Sequence, residues 1–322
     1  MIYLNKQHIE RININWNDII TLFEKTVYSL KSGDYSQPIK PYLKFEEPKN
    51  RIIAMPAFIG SNINASGLKW IASFPDNLSK GFARAHSVTV LNDVNSGRPL
   101  SLINTAHVSA IRTAGVSGLL IKSFLTERKI KDINVGIIGF GPIGQMHLNM
   151  INALIGSNVK KVRIYDSLKV NTDFVPNDIK DCLEICNCWE DVYKASDIFI
   201  TCTVSSKGYI NQKPKDGALL LNVSLRDFTP EILNYTSSII VDSWEEVCRE
   251  NTDIEFMHIE RGLQKSDTKS IVDIVCDNGM GTFPIEEAIM FNPMGMAVFD
   301  IATANHFYLK ALEDNIGIKL ED

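Results

Sequence analysis

The 322-residue sequence lacks several things that would each open a class of function. Its longest apolar runs, such as 218–221 and 239–241, fall far short of the ~20 residues that cross a bilayer, so no membrane partner is expected. It has no lysine- or arginine-rich block, and a formal charge of −5 is mild, which argues against a nucleic-acid surface. Residues 1–5 show no basic segment followed by an apolar one, so no signal peptide is read and a cytoplasmic protein is expected. Cysteine is scarce. Three of the six cysteines, Cys182, Cys186 and Cys188, cluster, but no fourth ligand stands at a recognisable spacing. Free thiols in a reducing compartment are expected, and no metal. There is no internal repeat and no low-complexity tract. What remains is an ordinary globular composition, 45% hydrophobic, in a chain long enough for two domains.

The most informative stretch is Asn134–Gln145. Val135, Ile137 and Ile138 read as a buried strand. Gly139, Gly141 and Gly144 then supply G-x-G-x-x-G, and 147–154 continues with helical spacing. In that context the first glycine permits a tight turn, the second lets backbone approach a pyrophosphate, and the third lets helix pack on strand. The loop with its Phe140, Pro142 and Ile143 is therefore expected to bind a dinucleotide at a helix N-terminus. A second β-prone run, Val162–Asp166, ends in an acid 27 residues after Gly139. A carboxylate there accepts ribose hydroxyls and repels a 2′-phosphate, so NAD is expected over NADP.

In chain order, 2–4 reads as a strand, and a helix capped by Asn17 or Asp18 runs to about Leu30. Residues 37–43, with Pro38 and Pro41, are extended. Strands follow at 51–56, 65–73, 87–91 and 99–104 and predict an antiparallel or mixed sheet. A helix from Thr105 or His107 to about Leu125 bridges to strands at 135–138, 162–165, 198–202, 218–223 and 239–242. Residues 178–186 and 190–195 lie between strands, and this alternation predicts a parallel, doubly wound sheet. A turn at 292–295 leads into a last helix that carries the chain back to the first domain.

Several residues could carry chemistry. Lys69 interrupts an apolar strand and is either a substrate-facing cation or a solvent-facing lysine on a half-exposed strand. Arg112 heads a small-residue helix; its guanidinium suits a planar carboxylate, the other reading being a surface arginine. Lys40, between two prolines, is a second carboxylate binder or a surface residue. Asp227 follows a parallel strand, where α/β sheets bind ligands, and either handles a proton or caps the helix ahead of Pro230. Thr201, Cys202 and Thr203 end another such strand and should face the cofactor, unless they record only β-propensity. His107 is the one histidine considered as a base, without a triad context.

Taken together, Arg51-x3-Met-Pro56, Gly67-Leu-Lys-Trp70, Leu91-Asn-Asp93, Arg112-Thr-Ala114, the glycine loop, Thr201-Cys-Thr203, Asn292-Pro-Met-Gly-Met296 and Asp300 resemble the ornithine cyclodeaminase/μ-crystallin family over nearly the whole chain. Gln37-Pro-x-Lys-Pro-Tyr-Leu43 and Trp70-x3-Phe-Pro-Asp-Asn77 resemble the branch that makes L-2,3-diaminopropionate, a siderophore and peptide-antibiotic precursor. The resemblance implies an α/β fold with an NAD-binding Rossmann domain at 115–299. It also implies a mixed α+β substrate-binding and dimerisation domain at 1–114, rejoined by about 300–322. It implies a homodimer and a small anionic amino-acid substrate oxidised at a secondary C–N bond. Lys69, Arg112 and Asp227 match catalytic positions. Lys40 and Met55 join Lys69 and Arg112 in binding substrate, and Ser224, Met294 and Gly295 join the cofactor site. Lys40 replaces the arginine usual in cyclodeaminases, Asn104 replaces an expected acid, and 226–229 lacks their Pro-Gly-Lys character, which counts against ornithine.

Overall fold

Alternating apolar residues at 51–59, 65–73 and 85–92 build the centre of an antiparallel sheet in the computed structural model of the chain. The structure describes residues 1–47 and 49–321; Pro48 and Asp322 lie outside the described residues. The chain forms two compact units, Met1–Arg112 with Met296–Asp322, and Thr113–Gly295.

In the first unit the strands are β1 (Ile2–Asn5), β2 (Tyr35–Ser36), β3 (Tyr42–Lys44), β4 (Arg51–Ile59), β5 (Ala65–Ser73), β6 (Ala85–Asn92) and β7 (Pro99–Asn104), with a C-terminal strand Ile318–Lys319. The sheet order is C-terminal strand, β1, β7, β6, β5, β4, β2, with β3 also on β4. All pairs are antiparallel except β1 with β7. The period of two puts Met55, Ala57, Ile59, Lys69, Thr89 and Leu91 on one buried face. The C-terminal helix Ala297–Glu313 packs there on β4 and β5. The helix Trp16–Ser32 packs on that helix in turn, with Phe23 edge-on to Phe299 at 5.1 Å. Its cap is Asn15, whose side chain accepts from the Asn17 and Asp18 amides; the expected cap residues are thus its first turn. The opposite face of the sheet, carrying Ile52, Ala54, Pro56, Phe58, Leu68, Val88 and Val90, stays half-exposed, and Trp70 on it is 40% exposed.

The second unit is a fully parallel sheet of eight strands: β8 (Ile133–Ile138), β9 (Val159–Tyr165), β10 (Leu183–Ile185), β11 (Ile198–Thr201), β12 (Leu219–Asn222), β13 (Ser238–Val241), β14 (Thr268–Ser270) and β15 (Ile289–Asn292). Their order is β10-β9-β8-β11-β12-β15-β13-β14. The four buried residues of each of β11, β12, β13 and β15 show why alternation is absent here: both faces are covered. The chain leaves β8 toward β9 on one side and returns at β11 on the other. That reversal is the switch point at which doubly wound sheets open a crevice beyond their carboxyl ends. The segment 178–186, expected between strands, is a 3-10 turn followed by the edge strand β10. The helix His107–Arg128 is long and apolar enough to cross a membrane, contrary to the reading from apolar runs, but most of its apolar window is buried inside the protein, as in a core helix.

Candidate active site

In the first unit, three charged side chains from distant positions meet. Lys69, in the middle of β5, is 2% exposed, so its solvent-facing reading is wrong. Its Nζ donates to Asp300 Oδ1 at 2.8 Å and to Ser109 Oγ at 3.2 Å. Arg112 is 8% exposed and donates Nε to the same Asp300 oxygen at 2.8 Å. Its two terminal amino groups have no partner among the described residues. Lys40 is buried as well, and Met55 stands opposite Lys69 in the β4–β5 register. The electrostatics follow from burial. Loss of solvent lowers the Lys69 pKa to about 7; Arg112 and Lys40 push the same way and Asp300 opposes them. Burial works against ionised Asp300, yet Arg112 and Lys69 outweigh it and hold its pKa below the usual carboxylate range. The cluster is thus an anion between cations, with a lysine poised near neutrality and an arginine fork open for a planar anion. His107 is only partly buried and its backbone amide serves a Thr105 cap; it is not part of this cluster.

In the second unit the glycine loop joins β8 to the helix Pro142–Ile155. Gly139 has φ +85°, and a Cβ there would stand 2.5 Å from the Cys202 carbonyl carbon, so only glycine fits. A Cβ on Gly144 would strike the Gly139 carbonyl oxygen, while nothing lies within 4 Å of one on Gly141. The first intrahelical bond is Gln145 N–H to Gly141 O, so the Ile143 and Gly144 amides precede the helical ladder, and Pro142 has no amide to lose. This is a cradle with open space over the second glycine and free donors beyond it, which fits a pyrophosphate. Asp166, just past β9, is drawn into the loop. It accepts from Phe140 N–H at 2.6 Å and from Leu168 N–H at 2.8 Å, leaving further lone pairs for hydroxyl donors.

Beyond β11 and β12 the side chains form one hydrogen-bonded system. Asp227 is fully buried. It accepts from Thr203 Oγ1 at 2.5 Å, closely from Ser224 Oγ, and from Tyr209. Ser224 Oγ also lies within hydrogen-bond distance of Thr201 Oγ1, at 2.7 Å. The capping alternative for Asp227 fails: the short helix at Pro230 starts after Thr229 and has no side-chain cap. Burial raises the Asp227 pKa against the pull of the Thr203 and Tyr209 hydroxyls. Its loop is tied down by Asp253, whose Oδ2 accepts from the Asp227 and Phe228 amides and from Asn222 Nδ2. Burial lifts the Asp253 pKa to about 7. Asp242 similarly holds the 292–295 turn, accepting from Met294 N–H at 3.0 Å and Gly295 N–H at 2.7 Å. Cys202 is partly buried, with its thiol 3.8 Å from His147 Nδ1. His147 itself, its pKa lowered by burial to about 4, bridges Ile143 O and Ser117 Oγ.

The sequence reading missed Asp253, Tyr209 and Asp242 as supports of these loops. Each is a common residue type with no motif around it. Asp300 was recognised only as part of a resemblance, although an acid between Phe299 and Ile301 in an apolar helix signals a buried charge that needs cations.

The model of the ornithine cyclodeaminase/mu-crystallin family matches residues 3–315. The chain is 30% identical to N-((2S)-2-amino-2-carboxyethyl)-L-glutamate dehydrogenase of Staphylococcus aureus, over 99% of this chain and 98% of that one. Among solved structures, Thermococcus litoralis Δ1-pyrroline-2-carboxylate reductase in complex with NADH and L-proline matches with TM-score 0.87 and 24% identity, over 99% of this chain and 100% of the other. An archaeal alanine dehydrogenase dimer with bound NAD matches with TM-score 0.81 and 22% identity, over 100% and 99%. The chain belongs to the ornithine cyclodeaminase/mu-crystallin family.

Proposed function

We propose that the chain is an NAD-dependent dehydrogenase. In this reading it oxidises the secondary amine of N-(2-amino-2-carboxyethyl)-L-glutamate and, with water, releases 2-oxoglutarate and L-2,3-diaminopropionate. The observation that carries the reading is the buried Lys69–Asp300–Arg112 cluster with Lys40 beside it, in a chain that aligns end to end with the staphylococcal dehydrogenase. A buried arginine that spends only Nε on a carboxylate already shared with Lys69 has its fork open for an anionic ligand. The proposed substrate carries three carboxylates.

The glycine loop would hold the cofactor's pyrophosphate and Asp166 its adenine ribose, with Thr201, Cys202, Thr203, Ser224, Met294 and Gly295 lining the remainder. Bound NAD supplies the acceptor for the hydride leaving the glutamate Cα. Arg112 has its fork free for the α-carboxylate and fixes that carbon in place. Lys40 takes a distal carboxylate, and Met55 forms the apolar wall beside Lys69. Lys69, partly neutral near pH 7, accepts the amine proton as the C–N bond gains double-bond character. Water then adds to the substrate carbon, and a proton returned to nitrogen lets the diamino acid leave. Asp227, buried among hydroxyls with its pKa raised, is the second proton-handling group, and Asp253 sets its position.

The half-exposed apolar face of the first unit's sheet, with Trp70 at its centre, is the surface we assign to a second copy of the chain in a homodimer. The reaction is tested by anaerobic incubation with NAD and the proposed substrate, following NADH by absorbance and both products by mass. Net NADH separates this reading from cyclodeamination, which recycles the cofactor, and from imine reduction, which consumes NADH. Binding of NAD without turnover of any amino acid or imine would refute it in favour of a ligand-binding role.

A further inference from the structure

Asp300 lies in the first turn of the C-terminal helix and is 2% exposed. Both cationic partners converge on Oδ1. Its other oxygen, Oδ2, is equally buried and has no hydrogen-bond partner among the described residues. Arginine beside a carboxylate ordinarily engages both oxygens through parallel N–H groups. Arg112 instead spends only Nε on Asp300, which leaves its two terminal amino groups open and the second carboxylate oxygen unserved. The cluster therefore presents two unmet demands: a fork of donors seeking an anion, and an anionic acceptor seeking a donor. A carboxylate ligand meets only the first. A carboxylate with an N–H on the adjacent carbon meets both.

We propose that Asp300 Oδ2 is the acceptor for the substrate's amine N–H, so that the cluster recognises the carboxylate–amine pair of an α-amino acid and discriminates against the same acid without nitrogen. The assignment rests on the reading of this cluster as the substrate site. It also gives the chemistry an order. A secondary ammonium has two N–H groups, and with one held by Asp300 the other is the proton that Lys69 removes. Among the described residues, the charged and polar groups that face Asp300 or Lys69 include Lys69, Arg112, Lys40, Ser109 and Thr89.

The test is calorimetric binding of L-glutamate and of glutarate, the same dicarboxylate without nitrogen, to the full-length protein with and without NADH. A hydrogen bond to a charged group corresponds to about ten- to a hundredfold in affinity, so wild type is expected to favour L-glutamate by that factor. Asp300→Asn keeps an oxygen for Lys69 and Arg112 and turns an amide toward the ligand. It should bring the ratio close to one while glutarate binds as well as before or better. An unchanged ratio in Asp300→Asn overturns the assignment. So does a wild-type ratio near one, which decides the matter even where the variant fails to fold. Because these ratios need no turnover, they stand apart from the dehydrogenase assay. Glutarate binding without discrimination removes Asp300 alone, whereas failure to bind either acid removes the substrate site as well.

Discussion

The ionisation of Lys69 governs how activity should vary with pH. An ordinary lysine, with pKa 10.5, is neutral at pH 7 in only about three molecules in ten thousand; at about 7, the value that burial imposes, it is neutral in about half. The surroundings thus raise the population of the competent base about a thousandfold. The sign follows from the role: the base must be unprotonated, so kcat/KM should rise with pH. It should gain about fivefold from pH 6 to 7 and less than twofold from 7 to 8. In the substrate complex the added carboxylates favour the ammonium form, so the limb in kcat should lie at higher pH than the limb in kcat/KM. Asp253 also has a pKa raised to about 7 and would give a limb of the same sign, so the profile alone does not assign it. Temperature separates them, because amine ionisation carries a large enthalpy and carboxylate ionisation almost none. A limb that moves to lower pH on warming belongs to Lys69; one that stays still belongs to the carboxylate. Lys69→Met should lose the limb together with about 10²–10⁴ in rate. A profile in Lys69→Met that keeps the neutral limb, or a wild-type limb that ignores temperature, would refute the reasoning.

Asp227→Asn should lower kcat by about 10²–10⁴ while NADH affinity, read by fluorescence titration, is retained, since Asn still offers an acceptor to the surrounding hydroxyls. Gly139→Ala should abolish NADH binding and lower the melting temperature, because the substitution combines φ +85° with a collision on the Cys202 backbone; the cost exceeds the ~1 kcal/mol of a strained alanine alone. Trp70→Asp should shift the sedimentation of the protein from the proposed dimer to monomer without altering the circular dichroism of the fold.

How much of this was legible in the sequence depends on how far apart the contributing residues lie. The glycine loop and the strands β8, β9, β11, β12 and β13 are local: each is an apolar run beside its own turn, and the reading located them within a few residues. The strands β10 and β14 are three residues long, too short for any periodicity, whereas β15 is a four-residue buried run like β11, β12 and β13 that the reading passed over. Strand β15 also inserts between β12 and β13 out of chain order, a pairing that no local pattern encodes. Hydrophobic alternation gave β4–β6, but a lysine in an alternating strand has the same local pattern whether it meets solvent or an acid 231 residues away. For Lys69, Arg112 and Lys40 the surface alternative was therefore physical, and burial removes it.

What decides such cases is charge balance taken over the folded unit rather than over the sequence. A lysine buried without an acid would neutralise, and an acid buried without cations would protonate. Lys69 in β5 and Asp300 in the C-terminal helix each break an apolar pattern, and each on its own is a defect. Together they are a pair, and Arg112, bound to the same Asp300 oxygen through Nε alone, leaves its terminal amino groups open. A fold that gained only stability from this cluster would do as well with apolar residues in its place, since replacing a buried charge network by such residues is often neutral or stabilising. The open Arg112 fork is therefore best matched by an anionic group of the ligand. Binding then recovers the desolvation cost already present in the empty site, so affinity should fall steeply for each carboxylate removed from the substrate and should tolerate changes in its apolar atoms. An affinity series in which loss of a carboxylate matters no more than loss of a methylene would contradict that account.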